Sequence, residues 1–298
     1  MAALIWASSF IALKYTFRTY DPMVVIFGRM FVASVCFLLL WKYIRQPKIY
    51  REDIKYLLLM SFCEPCLYFL FEAAAVKNTT ASGAGVITAL LPLMVAVGAR
   101  RFLKEEITKY MVAGFAVAII GSIWLSLCSA SSAYAPHPVF GNFMEFLAMV
   151  CASGYFIVFK HLSGRYGSFF LTATQAFVGA VFYLPLLLLP SIHIPRSFEP
   201  APALAVIYLG VVVTLGAYGL YNYGASRTKA STASAFINLI PAFTILLAFI
   251  LLGEKLNAGQ MAAVLVVFAG VFISQIKPKV SGRDSLKGES DSTGELLA

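Results

Sequence analysis

Ten long hydrophobic runs follow one another along the chain. They cover about residues 2–17, 23–41, 54–75, 80–100, 110–126, 142–160, 168–190, 203–224, 230–252 and 258–276. Each run is continuous rather than alternating, and a helix needs roughly 20 apolar residues to cross the hydrocarbon core of a bilayer. Continuous runs of this length predict transmembrane helices rather than barrel strands. We therefore expect an all-α membrane protein with ten transmembrane helices.

The ends of the chain differ from the ten runs. Met1 already lies inside the first run and no basic segment precedes it, which predicts a truncated first span rather than a signal peptide. Hydrophobic periodicity is lost after residue 276, so residues 277–298 are predicted to be a disordered tail. The connections between runs are short, and consecutive helices are therefore expected to be antiparallel.

Composition and charge agree with a membrane protein. Hydrophobic residues make up 60% of the chain and charged residues only 12%, against about 25% in a soluble domain. If the first helix runs outward, most of the 23 lysines and arginines fall in inside connections, which places both termini in the cytoplasm. The net charge of +9 is explained by this topology, so we expect no nucleic-acid partner.

The sequence also repeats itself at a fixed offset. Three residues of the first half recur 149 positions later, namely Pro92, Glu105 and Gly121 as Pro241, Glu254 and Gly270. Each copy contains five predicted helices, and an odd number forces the second copy into the opposite orientation. We therefore predict two inverted five-helix repeats, residues 1–126 and 142–276, joined by an external loop at 127–141. Inverted repeats around a central cavity are typical of transporters that work by alternating access.

Two segments carry a resemblance to a known family. Trp6-Ala7-Ser8-Ser9-Phe10 and the block from Pro241 to Leu256 resemble the first and ninth helices of the EamA family, in the drug/metabolite transporter superfamily. The similarity covers about residues 1–276, although Lys104 replaces the glycine of the usual Leu-Gly-Glu turn in the first copy. The resemblance implies a ten-helix inner-membrane permease for small metabolites, often an exporter of amino acids or related compounds. It also implies a cavity between spans 1, 3, 4, 6, 8 and 9.

Charged residues within the spans are candidates for function because each is costly in hydrocarbon. Arg29 lies seven residues after Pro22 and Glu64 eleven residues after Asp53. At about 1.5 Å per residue, their depths overlap within a bilayer about 30 Å thick, so they could pair. One interpretation is a structural ion pair that locks the second and third helices. The other makes Glu64 a site for a substrate amine or a proton.

Glu64 belongs to a stripe on one face of the third span. Glu64, Tyr68 and Glu72 are spaced four residues apart, which predicts a polar path along this face. For Glu72 alone, a solvated helix end near the outer mouth is the favoured interpretation. Pro65, directly after Glu64, predicts a kink in the helix.

Neutral polar and aromatic residues complete the predicted substrate pathway. They are expected to form a cavity with aromatic walls and few charges, suited to amphipathic metabolites. The alternative for each aromatic residue is a place in the core or the interfacial belt. The candidates are Trp6, Tyr155, Gln175, Tyr218, Tyr221, Asn222 and Asn238.

Pro92 and Pro241 are candidate gate or hinge residues. Each follows a stretch of small residues, at 81–85 and 230–235, by about ten positions. Small residues allow helix backbones to approach closely in lipid, so packing is the simpler explanation. A proline also frees a backbone carbonyl that can bend the helix or contact substrate, so both roles stay open.

No metal, cofactor or nucleophile motif accompanies these residues. Cys63 and Cys66 have redox or metal spacing, but they lie within a span and lack a second pair or a histidine. Buried thiols acting as small apolar residues are therefore expected. A phosphate-binding Gly-Lys-Ser/Thr loop is also missing from the sequence, which excludes a built-in ATPase. We expect no cofactor and no enzymatic activity.

The sequence thus predicts a secondary transporter in the cell's inner or plasma membrane, embedded in the lipid bilayer as a monomer or homodimer. It would export small organic solutes, either as a facilitator or coupled to protons through Glu64. One alternative is a carrier of sugar nucleotides or sugar phosphates, for which Arg29 is the single deep cation. An alternative of another class is a membrane sensor or scaffold that does not transport.

Overall fold

The structure is a computed structural model that describes residues 1–44, 48–103, 107–195, 197, 199–228, 233–234 and 236–276. Regular structure in these residues is helical, apart from an isolated bridge between Ser132 and Ala135. Besides a short helix at Trp41–Ile44, the described part of the chain forms ten apolar helices: α1 (Ala2–Thr16), α2 (Pro22–Leu39), α3 (Arg51–Asn78), α4 (Ala81–Arg101), α5 (Lys109–Leu127), α6 (Pro138–Leu162), α7 (Ser168–Leu186), α8 (Pro200–Ala225), α9 (Phe236–Leu252) and α10 (Ala258–Ser274).

The prediction of an all-α chain is confirmed for the described residues. Seven of the helices, α2 to α8, are long and apolar enough to cross a membrane, whereas α1, α9 and α10 are shorter. The helices follow the ten hydrophobic runs with shifted ends: α6 begins at Pro138 rather than 142, because proline is favoured in a first turn, and α7 ends at Leu186 rather than 190. The predicted tail at 277–298 lies outside the described residues, as does much of 229–235.

Helices α5 and α10 approach each other closely at glycines. A Cβ atom added to Gly114 would lie 2.4 Å from the backbone oxygen of Gly270, and one added to Gly270 would lie 2.5 Å from the backbone nitrogen of Ala118. Neither position has room for a side chain. Without a hydrophobic force between helices in lipid, such backbone contact supplies the van der Waals packing that holds them together.

Helix α3 is interrupted where the sequence predicts a kink. Glu64 has the non-helical angles φ −147° and ψ 118°, followed directly by Pro65. Helix α7 satisfies the carbonyls released by the break: Gln175 Nε2 donates to the Glu64 oxygen at 2.8 Å, and the Tyr183 hydroxyl donates to the Cys66 oxygen at 2.6 Å. Irregular backbone at membrane depth is tolerated when it is buried in protein in this way.

Helices α4 and α9 share a similar irregularity. A single 3₁₀ turn precedes the proline in each, at Thr88–Leu90 before Pro92 and at Phe236–Asn238 before Pro241. The two helices also cross closely, since a Cβ atom added to Gly85 would lie 2.6 Å from the side chain of Thr244. The two candidate hinge prolines therefore lie in helices that touch each other.

Candidate functional site

A central cavity lies between α1, α2, α3, α4, α6, α8 and α9. Six of these helices are those that the family resemblance implies, and α2 joins them through Arg29. The lining residues are Trp6, Ser9, Phe10, Arg29, Glu64, Tyr68, Glu72, Thr88, Leu91, Met149, Ala152, Tyr155, Phe156, Tyr218, Tyr221, Ile237 and Ile240. The cavity is thus mostly apolar and aromatic, with a few charged groups.

The sequence-predicted pathway residues fall into two groups. Those that line the cavity are Trp6, Arg29, Glu64, Tyr68, Glu72, Tyr155, Tyr218 and Tyr221. The remaining three, Gln175, Asn222 and Asn238, are not among its lining residues. Gln175 supports the break in α3, as described above. Asn222 accepts a hydrogen bond from the Tyr155 hydroxyl at 2.7 Å, so it acts on the cavity through a residue that lines it.

The aromatic wall is built around Trp6. Its ring meets Tyr218 and Tyr221 edge to face, with centroid distances of 5.0 and 4.7 Å. Phe156 continues this wall, 5.6 Å from the Tyr221 ring. The indole nitrogen of Trp6 is buried and has no hydrogen-bond acceptor among the residues that the structure describes. An unused donor is thereby held beside the cavity.

The charged cluster centres on Arg29, which is 1% exposed. Its Nη1 atom lies 3.8 Å from Oε2 of Glu72, and its Nε atom donates to the Thr214 hydroxyl at 2.8 Å. The guanidinium also stacks over the Phe69 ring at 4.1 Å. The other oxygen of Glu72 accepts a hydrogen bond from the Tyr68 hydroxyl at 2.9 Å. Arg29 is therefore fixed by contacts from two other helices, α3 and α8.

Two sequence predictions about this cluster are wrong. Arg29 forms its ion pair with Glu72 rather than with Glu64. Similar depth places both glutamates at the same cavity as Arg29, but depth along a helix does not determine which side chains meet. Glu72 is not a solvated helix end, since it is only 4% exposed and is bound by Tyr68 and Arg29. The Glu64 carboxyl instead interacts with the Tyr218 hydroxyl on α8.

Sequence reasoning missed a third buried carboxyl group, on Glu145 of α6. Glu145 is fully buried, and it lies close enough to Glu72 for the two carboxylates to repel each other. The signal was present in the sequence, because Glu145 is an acidic residue within a hydrophobic run. A charge within a membrane span is costly and therefore indicates a functional role.

Sequence reasoning also missed a hydrogen-bond network at one end of the helices. Lys14 of α1 is buried, and its Nζ atom donates to the backbone oxygens of Val76 and Thr79, at 2.6 and 2.5 Å. Nearby, the Glu254 carboxylate accepts hydrogen bonds from the backbone nitrogens of Ala81 and Ser82, both at 2.9 Å. A glutamate from the turn after α9 thus caps the N-terminus of α4, where a negative charge is favoured.

A second lysine binds backbone carbonyls at the opposite end of α6. Asn142, near the start of α6, accepts a hydrogen bond from Thr79 at 2.8 Å, which places this end of α6 beside Lys14. Lys160 lies near the other end of α6, where its Nζ atom donates to the backbone oxygens of Ala225, Ser226 and Thr228. The Glu105 turn, the sequence counterpart of Glu254, lies outside the described residues.

A comparison with known protein families decides the identity of the chain. The model of the EamA-like transporter family matches residues 1–127 and again residues 139–275. The chain belongs to the EamA-like transporter family. EamA proteins are transporters, so this EamA protein is a multi-pass membrane transporter by family and not an enzyme.

Relatives of this EamA protein carry transporter names. An "Uncharacterized transporter" of Archaeoglobus fulgidus is 24% identical, covering 93% of this chain and 96% of that one. A "Probable terminal-alkyne amino-acid exporter" of Streptantibioticus cattleyicolor is 25% identical, covering 85% and 84%. A "Probable amino-acid metabolite efflux pump" of Salmonella typhimurium is 25% identical, covering 92% of each.

The fold also has a counterpart among solved proteins. A crystal structure that is 16% identical to the EamA chain superposes with a TM-score of 0.64, covering 92% of this chain and 93% of the other. At this identity the likeness shows the fold alone.

Proposed function

We propose that this EamA protein is a secondary transporter that exports amino acids or related amphipathic metabolites across the cell's inner or plasma membrane. It works by alternating access between two inverted five-helix halves, residues 1–126 and 142–276, with ten transmembrane helices and both termini in the cytoplasm. Pro92 and Pro241 act as hinges in the two helices that touch at Gly85 and Thr244.

The composition of the cavity is the observation that carries this proposal. An amino acid has an ammonium group, a carboxylate and a side chain that is often apolar. The Glu64 carboxyl and the faces of Tyr218 and Tyr221 suit an ammonium group, because a cation is attracted both to a carboxylate and to an aromatic face. The unused N–H of Trp6 suits a carboxylate oxygen. Phe156 and Met149 offer apolar contact.

Two observations support the inverted halves. The family model matches the chain twice, once over residues 1–127 and once over residues 139–275. Lys14 and Lys160 also bind the ends of α3 and α8 in the same way, at opposite ends of α6. Both features are expected of a duplicated unit whose second copy is inverted.

The charges of the cavity weigh against a sugar-phosphate or sugar-nucleotide substrate. Such anions need several cations, and Arg29 is the one lysine or arginine among the described lining residues. Its charge is already matched by Glu72. With Glu64 and Glu72 both at the cavity, an anionic substrate would meet net repulsion.

Flux measurements on the purified protein in liposomes test the proposal. Candidate substrates are first selected as amino acids that raise the melting temperature, since a ligand that binds the folded state stabilises it. Uptake of the labelled amino acid is then expected for the wild type and should collapse in Glu64→Gln. Glu52→Gln is the matched control, because the Glu52 side chain is two-thirds exposed and does not line the cavity. No flux with any amino acid would favour a sensor or scaffold.

The proposed mechanism also includes proton coupling through Glu64. Glu64 is 4% exposed and lies at the break of α3, where a change of charge can act on the helix. An imposed pH gradient should then drive amino-acid flux in the wild type. In Glu64→Gln the gradient should have no effect on any residual flux. A facilitator would show flux that the gradient does not change.

A further inference from the structure

The Glu145 carboxyl group has no use in the transport mechanism proposed so far. Glu145 is 0% exposed, and neither of its oxygens accepts a hydrogen bond from any residue that the structure describes. It lies one helical turn before Met149, which lines the cavity, so it is buried directly behind the cavity wall. A buried polar group is normally hydrogen-bonded, and an exception calls for an explanation.

The groups that surround Glu145 do not favour its charged form. The titratable groups that face it are Glu72 and Tyr68, both on α3. The charged group that acts on Glu145 is thus another carboxylate. Arg29 is the local cation, and Glu72 already shares its charge.

The basic residues on other nearby helices are occupied or distant. Lys14 of α1, beside the start of α6, has its Nζ atom bound by the backbone oxygens of Val76 and Thr79. The described basic residues of α4 and α5 lie at the opposite ends of those helices, at Arg100, Arg101 and Lys109. An ionised Glu145 would therefore be an unpaired charge in an apolar site, next to a charge of the same sign. Such a charge is so costly that the group takes up a proton instead.

We propose that Glu145 is a proton-binding site of this transporter, and that it works as a pair with Glu72. In the conformation described here, Glu145 holds a proton and Glu72 is ionised against Arg29. When the cavity opens, water reaches the pair and the Glu145 carboxyl releases its proton to that water. Arg29, which lies between helices, can then serve both carboxylates. The site is separate from Glu64, and its coupling role rests on the proposed transport function.

Infrared spectroscopy of the full chain in lipid tests the proton site without a substrate. A protonated carboxyl group gives a C=O stretching band that shifts on exchange from H₂O to D₂O. Because Glu64 is a second buried carboxyl group, all proteins are compared in a Glu64→Gln background. We expect such a band in this background at neutral pH, its loss when Glu145→Gln is added and its retention when the control Glu52→Gln is added. When Glu72→Gln is added instead, the band should disappear at a lower pH, because the repelling charge is gone and Arg29 becomes available.

The outcomes separate the alternatives. In the Glu64→Gln background, absence of the band at neutral pH, or a band that persists when Glu145→Gln is added, would overturn the proposal. An unchanged titration in Glu72→Gln would overturn the pairing. If Glu145→Gln fails to fold, Glu145→Asp serves in its place: a displaced band assigns the proton to this position, and an undisplaced one assigns it elsewhere.

The coupling role has its own readout. Amino-acid flux of the wild type should respond to an imposed pH gradient, and flux of Glu145→Gln should not. A band without amino-acid flux would support the proton site while contradicting the proposed substrate class. Flux that keeps its full response to the gradient in Glu145→Gln would remove the coupling role.

Discussion

Lys14 and Lys160 make the same kind of contact at opposite ends of the molecule. Lys14 binds the backbone oxygens of Val76 and Thr79 at the end of α3, and Lys160 binds those of Ala225 and Thr228 at the end of α8. The two sets of carbonyl partners are separated by the same 149 positions as the sequence repeat.

Each lysine stabilises the end of the helix that it binds. Carbonyls at a helix C-terminus carry partial negative charge and lack partners within the helix, so a lysine there is stabilising. Each lysine ties the first helix of one proposed half to the third helix of that half. The Glu254 cap then joins the two halves at the Lys14 end. We therefore expect opening of this end to break the Glu254 contacts and to leave the lysine contacts within each proposed half intact.

Replacing Lys14 should destabilise the protein. Lys14→Met keeps the aliphatic length of the side chain but leaves the Val76 and Thr79 oxygens without their buried donor, at a cost of about 1–3 kcal/mol. The measurement is the melting temperature in detergent. Lys77→Met is the matched control, because Lys77 is exposed beside the same helix end. Equal losses in the two variants would contradict the buried contact.

Removing the Glu254 carboxylate should loosen the start of α4. In Glu254→Ala the backbone N–H groups of Ala81 and Ser82 lose their acceptor, so their hydrogen exchange should accelerate. The loss of a helix cap costs about 0.5–2 kcal/mol. Lys255→Ala, next to Glu254 and exposed, should leave the exchange unchanged. Slow exchange in Glu254→Ala would show that the cap does not hold this end closed.

A methyl group at the α5–α10 crossing should be poorly tolerated. In Gly270→Ala the new Cβ would meet the backbone of Ala118 at 2.5 Å, which only a helix shift can relieve. Overpacking of this kind costs about 1–3 kcal/mol and should lower the melting temperature. Gly224→Ala is the control, since nothing lies within 4 Å of its added Cβ atom. A stable Gly270→Ala would mean that the two helices are not closely packed.

The indole N–H of Trp6, which has no acceptor among the described residues, should contribute to substrate affinity. Trp6→Phe keeps an aromatic ring beside Tyr218 and Tyr221 but removes the buried N–H, so the fold should tolerate it. If this N–H binds the substrate, KM for amino-acid flux should rise about tenfold. Trp124→Phe, at an exposed position on α5, should leave KM unchanged. An unchanged KM in Trp6→Phe would remove Trp6 from the binding site.

Much of the fold could be predicted because a bilayer leaves the backbone few choices. Each apolar run must satisfy its own hydrogen bonds, so run length and continuity alone predict the ten apolar helices. The cost of burying charge in lipid likewise directed attention to Arg29, Glu64 and Glu72, all of which line the cavity.

The partners of these charges could not be predicted in the same way. Depth along a helix can be counted from the sequence, but the direction in which each side chain points cannot, and α3 breaks at Glu64 itself. Arg29 meets Glu72, and the Glu64 carboxyl turns to Tyr218. Gln175 was assigned to the pathway by its polarity, but in the fold its side chain binds the carbonyl that the break releases.

The sequence by itself determined the helices, the 149-residue repeat and the rarity of buried charge, because each follows from a local pattern and the solvent. Only the tertiary structure decided which charges meet, since contacts between distant helices depend on their rotation and on breaks in them. Glu145 illustrates the difference. Its presence in an apolar run is plain from the sequence, but its isolation beside Glu72 exists only once α3 and α6 are packed together.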